Sequence, residues 1–136
     1  MHKVTTKWNN KMAFDSQIGT HSLRLDTDSD LGDDSGPSPK KLLLASLAGC
    51  TGMDVVSLLK KMRVDITGFE IDMEADLTTE HPIVYSEMMI VYRFYGTDLN
   101  KEKVEKAVRL SQEKYCGVSA MLKKNNPINY RIEYSE

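Results

Sequence analysis

One long apolar segment limits the folds that this sequence can adopt. The run from Leu42 to Met62 would be apolar on nearly all sides of a helix. Ser38 followed by Pro39 is typical of a helix start, because serine caps the first free N–H groups and proline suits the first helical position. A helix that is apolar on almost all sides is normally buried on most of them. We therefore expect this helix to be the central element of the fold.

Alternating polar and apolar residues predict strands on both sides of the helix. The first 25 residues have the alternation of short strands, and an acidic, turn-rich loop follows them. Beyond the long helix we expect a hairpin, a second helix, another helical turn or two after Gly117, and a final strand. The predicted bounds of these later elements are residues 69–77 and 88–94 for the hairpin, 100–114 and 118–123 for the helical segments, and 128–134 for the last strand. This order indicates a single α+β domain over residues 1–136.

Composition excludes several classes of function. The chain has 136 residues and a net charge of −2, and its Lys and Arg residues do not cluster, so we expect no nucleic-acid partner. The N-terminus lacks the apolar stretch of a signal peptide, and no segment is expected to span a membrane. The protein is therefore predicted to be cytoplasmic, where thiols stay reduced. A cysteine pair there is more often catalytic, redox-sensing or simply buried than a structural disulfide.

The first of the two cysteines, Cys50, lies in the middle of the long helix. Ser46, Cys50, Asp54 and Ser57 fall on one stripe of that helix, which predicts that the stripe faces something polar. Gly49 and Gly52 flank Cys50 and lower the helix propensity there, and their lack of side chains would leave room for a substrate or another backbone to approach the sulfur. The stripe therefore indicates a solvent channel, a ligand or a partner chain beside Cys50.

The second cysteine, Cys116, precedes Gly117 and Val118. If Val118 opens a helical segment, the Cys116 sulfur lies at a helix N-terminus, where free N–H groups and the helix dipole favour a thiolate. The alternative is that both cysteines are small buried apolar residues, which is common for free cysteine. Spacing alone leaves both interpretations open.

Two segments of the sequence resemble motifs of the OsmC/Ohr family. Residues 36–50, from Gly36-Pro37-Ser38-Pro39 to Ala48-Gly49-Cys50, are similar to its central-helix motif, and residues 110–119 are similar to its second-cysteine motif. The resemblance extends over essentially the whole chain in the right order. It implies an α+β, OsmC-like fold in which strongly curved antiparallel sheets surround a long central helix. It also implies a domain-swapped homodimer with its active sites at the dimer interface.

The resemblance further implies a thiol-dependent peroxidase that acts on organic hydroperoxides in an oxidative stress response. Cys50 would attack the peroxide and become a sulfenic acid, Cys116 would condense with it to a disulfide, and an external dithiol would reduce the product. No cofactor is implied, and no metal is expected. The histidines share no ligand spacing, and the Asp-rich loop departs from the EF-hand pattern at Leu31 and Pro37.

The sequence departs from the family pattern where the first cysteine is activated. An arginine expected within residues 8–12 is absent, and Lys40 and Lys41 stand where a glutamate is expected. Candidate supporting residues are therefore Ser46, Asp54, Lys40, Lys41 and His21. The alternative to a cysteine-based hydroperoxide reductase is a non-catalytic dimer of the same fold that binds a small apolar ligand.

Overall fold

A computed structural model describes all 136 residues of the chain. Its elements group into two compact units, Met1–Leu44 and Ala45–Glu136. The elements are β1 (Val4–Asn10), β2 (Ala13–Ile18), β3 (His21–Leu25), α1 (Pro39–Lys61), β4 (Gly68–Leu77), β5 (Tyr85–Tyr95), α2 (Lys101–Leu110), a π-turn (Ser111–Tyr115), α3 (Gly117–Leu122) and β6 (Ile128–Ser135). The mixed α+β class is confirmed. The expectation of a single domain over 1–136 stays a prediction.

The first unit contains an antiparallel meander and the loop that follows it. The strands are in the order β1-β2-β3, which confirms the short strands predicted from alternation. The Asp26 carboxylate organises the loop, because it accepts hydrogen bonds from the backbone N–H groups of Thr27, Asp33 and Ser35 and from the Ser35 hydroxyl. These four donors lower the pKa of Asp26 to about 2, the Ser35 hydroxyl contributing most.

Helix α1 begins at Pro39, as predicted, but it is less buried than expected. Only one stripe with a spacing of four residues is buried, namely Leu47, Thr51, Val55 and Leu59. Met53 is 76% exposed and Val56 is 49% exposed. The prediction of burial on most sides is therefore wrong for the single chain. The reason is that a helix with apolar residues on all sides does not reveal which of its faces are covered by other parts of the same chain.

Helix α1 also corrects the expectation that no segment is long and apolar enough to span a membrane. It has 23 residues and contains an apolar window of 18, so its length and composition would allow it to cross a bilayer. The core helix of a soluble protein passes the same test. Because Thr51 on the buried stripe is hydrogen-bonded to Tyr92 of the second sheet, and Gly52 approaches Ile71 of the same sheet, we interpret α1 as such a core helix.

The second unit is built on the sheet β4-β5-β6. β4 and β5 form the predicted antiparallel hairpin, and the inward side chains of β5, including Ile90, Tyr92 and Phe94, are fully buried. β6 pairs parallel to β5, so this sheet is mixed and not wholly antiparallel as expected. The helical segments between β5 and β6 explain the difference, because a long crossover returns the chain to the same end of the sheet.

The predicted second helix changes its geometry near its end. α2 is regular to Leu110, and the next five residues form a π-turn that closes with a bond from the Cys116 N–H to the Ser111 carbonyl at 2.8 Å. α3 then begins at Gly117, one residue before the predicted start, and only Cys116 separates it from the π-turn. π-turns inside helices are rare and are frequent at functional sites.

Candidate functional site

Cys116 is the N-cap residue of α3. Its sulfur accepts a hydrogen bond from the Ser119 N–H at 3.3 Å, and its side chain is buried, with 3% of the residue exposed. Its own N–H is bound by the Ser111 carbonyl that closes the π-turn. Two backbone hydrogen bonds therefore hold this thiol in one orientation.

The environment of Cys116 favours the neutral thiol. Burial raises the pKa of the Cys116 thiol to about 11, while the Ser119 N–H opposes that shift. The neighbouring Cys50 thiol and the Asp54 carboxylate raise the pKa further. Of the two interpretations left open by the sequence, this favours a buried, neutral thiol, because burial outweighs the single N–H bond at the helix N-terminus. The same interactions place Cys50 and Asp54 beside Cys116.

Cys50 is the more accessible of the two free thiols. It is half-buried near the middle of α1, whereas Cys116 is buried. A Cβ atom placed on the adjacent Gly49 would meet no heavy atom within 4 Å, so the helix surface beside the sulfur is open. This agrees with the interpretation of Gly49 as a point of access. At Gly52 the expectation of access is wrong, because a Cβ atom there would lie 3.1 Å from Ile71 Cδ1 of β4, so this glycine allows close packing of the helix on the sheet. A molecule that reaches the pair from solvent therefore meets Cys50 first.

A buried polar network lies beside the cysteines. The Thr51 hydroxyl is 2.6 Å from the Tyr92 hydroxyl and 2.7 Å from the Ser111 hydroxyl, and Ser111 donates to Asp54 Oδ2 at 2.9 Å. The Gln112 Nε2 donates to Thr51 at 3.2 Å and to Tyr92 at 3.0 Å. The network therefore joins α1, β5 and the π-turn.

The other end of the Gln112 amide leads to Cys116. Gln112 Oε1 accepts from the Ser119 hydroxyl at 2.9 Å, and the Ser119 N–H is the donor to the Cys116 sulfur. The Lys123 ammonium donates to the backbone carbonyl of Gln112 at 2.7 Å, which ties the end of α3 to the π-turn. Gln112 is thus the link between the buried hydroxyls and the thiol.

The directions of the hydroxyl hydrogen bonds follow from the carboxylate at one end. The Ser111 hydroxyl donates to Asp54 Oδ2, so its single hydrogen is used there. Thr51 must then donate to Ser111, and Tyr92 must donate to Thr51, because each hydroxyl has one hydrogen. Burial raises the pKa of Tyr92 to about 12, which keeps the phenol protonated as this order requires. The chain of donors therefore runs in one direction and ends on Asp54.

Of the candidate supporting residues, Asp54 is the one that the structure brings to the cysteine pair. Ser46 and Ser57 are exposed and their side chains form no hydrogen bond within the chain, whereas Asp54 is half-buried and accepts a hydrogen bond from Ser111. The exposed cations Lys40 and Lys41 and the exposed His21 belong to the first unit, where Lys41 Nζ lies 3.8 Å from Asp28. No Lys or Arg side chain is in hydrogen-bonding contact with either sulfur.

Sequence reasoning missed most of the polar network. Thr51 lies on the same α1 stripe as Leu47 and Val55, and this position within an apolar four-residue spacing was the available signal. Tyr92 has the pattern of a core aromatic on an inward strand face. Gln112 and Ser119 fall within the second-cysteine motif, but their contact was not predicted, because it depends on the π-turn and on α3.

The chemistry open to this site is that of two thiols and one carboxylate. Cys50 is accessible, Cys116 is held beside it, and Asp54 is the nearby acid–base group. Such a pair can be oxidised to a disulfide and reduced again by an external thiol. No group of three or more His, Cys, Asp or Glu side chains is arranged to hold a metal ion.

Comparison with known proteins agrees with this fold. A family model described as OsmC-like protein matches residues 32–131. Protein YhfA of Escherichia coli K12 is 33% identical over 132 residues, which cover 96% of each chain. A crystal structure of a hypothetical protein from Aquifex aeolicus VF5 matches with a TM-score of 0.85 at 30% identity, over 100% of this chain and 98% of that one. The organic hydroperoxide resistance protein OhrB of Bacillus subtilis has the same fold, with a TM-score of 0.68 at 20% identity over 98% and 97% of the two chains. The chain therefore belongs to the OsmC-like protein family.

Proposed function

We propose that this protein is a thiol-dependent peroxidase that reduces organic hydroperoxides through Cys50 and Cys116. The observation that carries the proposal is the pairing of an accessible thiol with a buried one at a single site. Membership of the OsmC-like family supports it. So does the fold shared with a protein named for organic hydroperoxide resistance.

The reaction divides into two steps and a reset. The Cys50 thiolate attacks the outer peroxide oxygen, the O–O bond breaks, and the alkoxide takes a proton and leaves as an alcohol. Cys116 then attacks the sulfur of the Cys50 sulfenic acid, which forms the disulfide and releases water. An external dithiol reduces the disulfide and restores both thiols.

We further propose that the protein acts as a homodimer in the cytoplasm and has a role in oxidative stress. One face of α1 supports the dimer, because Met53 and Val56 are large apolar side chains that the single chain leaves exposed next to the Cys50 stripe. A second copy that packs on this face would bury it and would bring a partner surface to the opening at Cys50. Two reduced thiols at the site suit a reducing compartment.

A non-catalytic, ligand-binding dimer is the competing function, and one observation favours it. The arginine and glutamate expected for activation are missing, and no cation contacts either sulfur. Lys40 and Lys41, at the expected glutamate positions, carry the opposite charge. A thiol without a cationic partner ionises less readily and reacts more slowly.

The experiment that separates these functions follows the reduced protein after one equivalent of cumene hydroperoxide. Free thiols and intact mass are measured for the wild type and for Cys50→Ser and Cys116→Ser. A peroxidase loses both thiols and two hydrogens within seconds, and sulfenic acid is trapped only in Cys116→Ser. Thiols that survive for many minutes in the wild type would contradict the peroxidase and leave the ligand-binding dimer.

A further inference from the structure

Ser111 links the Asp54 carboxylate to the backbone of Cys116. The Ser111 hydroxyl donates to Asp54 Oδ2 at 2.9 Å, and the Ser111 carbonyl accepts from the Cys116 N–H at 2.8 Å. The same residue therefore contacts both the carboxylate and the backbone of the buried cysteine. Cys50 lies one helical turn before Asp54 on α1, a spacing that places the Cβ atoms about 5–6 Å apart.

One oxygen of this carboxylate is free to accept a proton. Oδ2 is occupied by Ser111, while Oδ1 has no hydrogen-bond or ion-pair partner in the chain. Because the donor chain from Tyr92 through Thr51 ends on Oδ2, a proton can bind Oδ1 without reversing any hydroxyl. The network therefore holds Asp54 in place and leaves its second oxygen available.

The resolving step needs such a group. Cys116 is a neutral thiol near pH 7, and it must lose its proton as its sulfur bonds to that of Cys50. The oxygen that leaves the Cys50 sulfenic acid must gain a proton to depart as water. One carboxylate that takes the first proton and supplies the second satisfies both needs.

We propose that Asp54 is the proton carrier of the resolving step, which rests on the peroxidase function proposed above. The S–S bond forms between Cys116 and Cys50, and the S–O bond of the sulfenic acid breaks. The Cys116 proton passes to Asp54 Oδ1 and then to the departing hydroxide, so that one water is released and the carboxylate is regenerated. Asp54 therefore serves the second step and not the attack on the peroxide.

Few titratable groups surround Asp54, and the substitution Asp54→Asn can remove its basic oxygen without changing its shape. The titratable groups facing it are the Cys50 thiol on α1, the Cys116 thiol at the start of α3, and the Tyr92 phenol of β5, which reaches it through Thr51 and Ser111. No Lys or Arg forms an ion pair with it. Asp54→Asn keeps the shape of the side chain and an oxygen for the Ser111 hydroxyl, while it removes the basic oxygen.

The test measures the two steps separately in the full-length protein with cumene hydroperoxide. The rate of sulfenic acid formation is followed in Cys116→Ser with and without Asp54→Asn, and we expect it to be no slower without the carboxylate. The rate of disulfide formation is followed in Asp54→Asn alone, and we expect it to fall on the order of 100-fold at pH 7. That residual rate should rise about tenfold per pH unit, because hydroxide then takes the Cys116 proton.

Glu113→Gln is the matched control, because Glu113 is an exposed carboxylate on the π-turn without a partner. It should leave both rates unchanged. Disulfide formation at the wild-type rate in Asp54→Asn, an equal loss in Glu113→Gln, or a low rate that does not rise with pH would each overturn the role of Asp54. Absence of sulfenic acid in Cys116→Ser would instead overturn the peroxidase function, and this inference with it.

Discussion

The Ser119 N–H donates to the Cys116 sulfur at 3.3 Å, so a thiol caps the helix that it begins. Serine is a stronger N-cap residue, whereas alanine accepts no hydrogen bond at this position. We expect Cys116→Ser to unfold within about 0.5 kcal/mol of the wild type, and Cys116→Ala to lose about 1 kcal/mol. Urea unfolding measures both, and equal stabilities would show that the cap contributes nothing.

The ionisation of Cys116 should make the protein less stable in alkali. Burial raises the pKa of this thiol from an ordinary value of 9.0 to about 11 in the folded protein. Between these values the unfolded chain has lost the proton that the folded chain keeps, so the free energy of unfolding falls as the pH rises. The contribution is complete below pH 9 and is lost toward pH 11. Urea titrations across this range should show a steeper fall in the wild type than in Cys116→Ser, and parallel curves would contradict the raised pKa.

The Thr51 hydroxyl should stabilise the fold through its three partners. Thr51→Val keeps the shape but leaves Ser111, Tyr92 and the Gln112 amide without their common neighbour. Buried polar groups without partners are costly, so we expect a loss of about 1–3 kcal/mol in urea unfolding. Ser57→Ala, an exposed change on the same helix, should stay within about 0.5 kcal/mol. A loss no larger in Thr51→Val than in Ser57→Ala would show that the network is not stabilising.

Gly49 offers a test of access to Cys50. A Cβ atom at this position meets open space, so Gly49→Ala should raise the free energy of unfolding by about 0.5–1 kcal/mol through helix propensity. If the glycine also serves access, the variant should react more slowly with cumene hydroperoxide than with the smaller tert-butyl hydroperoxide, relative to the wild type. An unchanged ratio of the two rates would assign Gly49 no part in access.

The Asp26 carboxylate in the loop should stabilise the folded state at neutral pH and lose this effect in acid. Its pKa is lowered to about 2 by four donors, so it favours the folded state above its ordinary value of 3.8 and loses that effect as the pH falls through about 2. Asp26→Asn should therefore be less stable than the wild type at pH 7 and closer to it at pH 3. Urea unfolding at the two values measures the difference, and a gap that does not narrow in acid would contradict the assignment.

The sequence predicted those parts of the fold that depend on local chemistry. The start of α1 followed from Ser38 and Pro39, and the β4–β5 hairpin followed from alternation. The buried face of α1 could not be predicted, because apolar residues on every side of a helix give no preferred direction. The polar residue on the buried face is Thr51, whereas Ser46 is exposed.

The candidate site was predicted only in part for a similar reason. Cys50 and Cys116 were identified from the sequence as candidate site residues, and the structure places them side by side. The ionisation of Cys116 was left open, because a helix terminus is visible in the local sequence, whereas burial is a property of the packed chain. Gln112 and Ser119 meet only through the π-turn, and the geometry of that turn has no local sequence pattern.

The π-turn makes the site depend on the number of residues as well as on their identity. Each residue of a regular helix advances the chain by about 100° around the axis. The additional residue in Ser111–Tyr115 therefore sets the angle between the buried face of α2 and everything that follows. Deleting one exposed residue there would rotate the second thiol away from the first, although no side chain of the pair would have been altered.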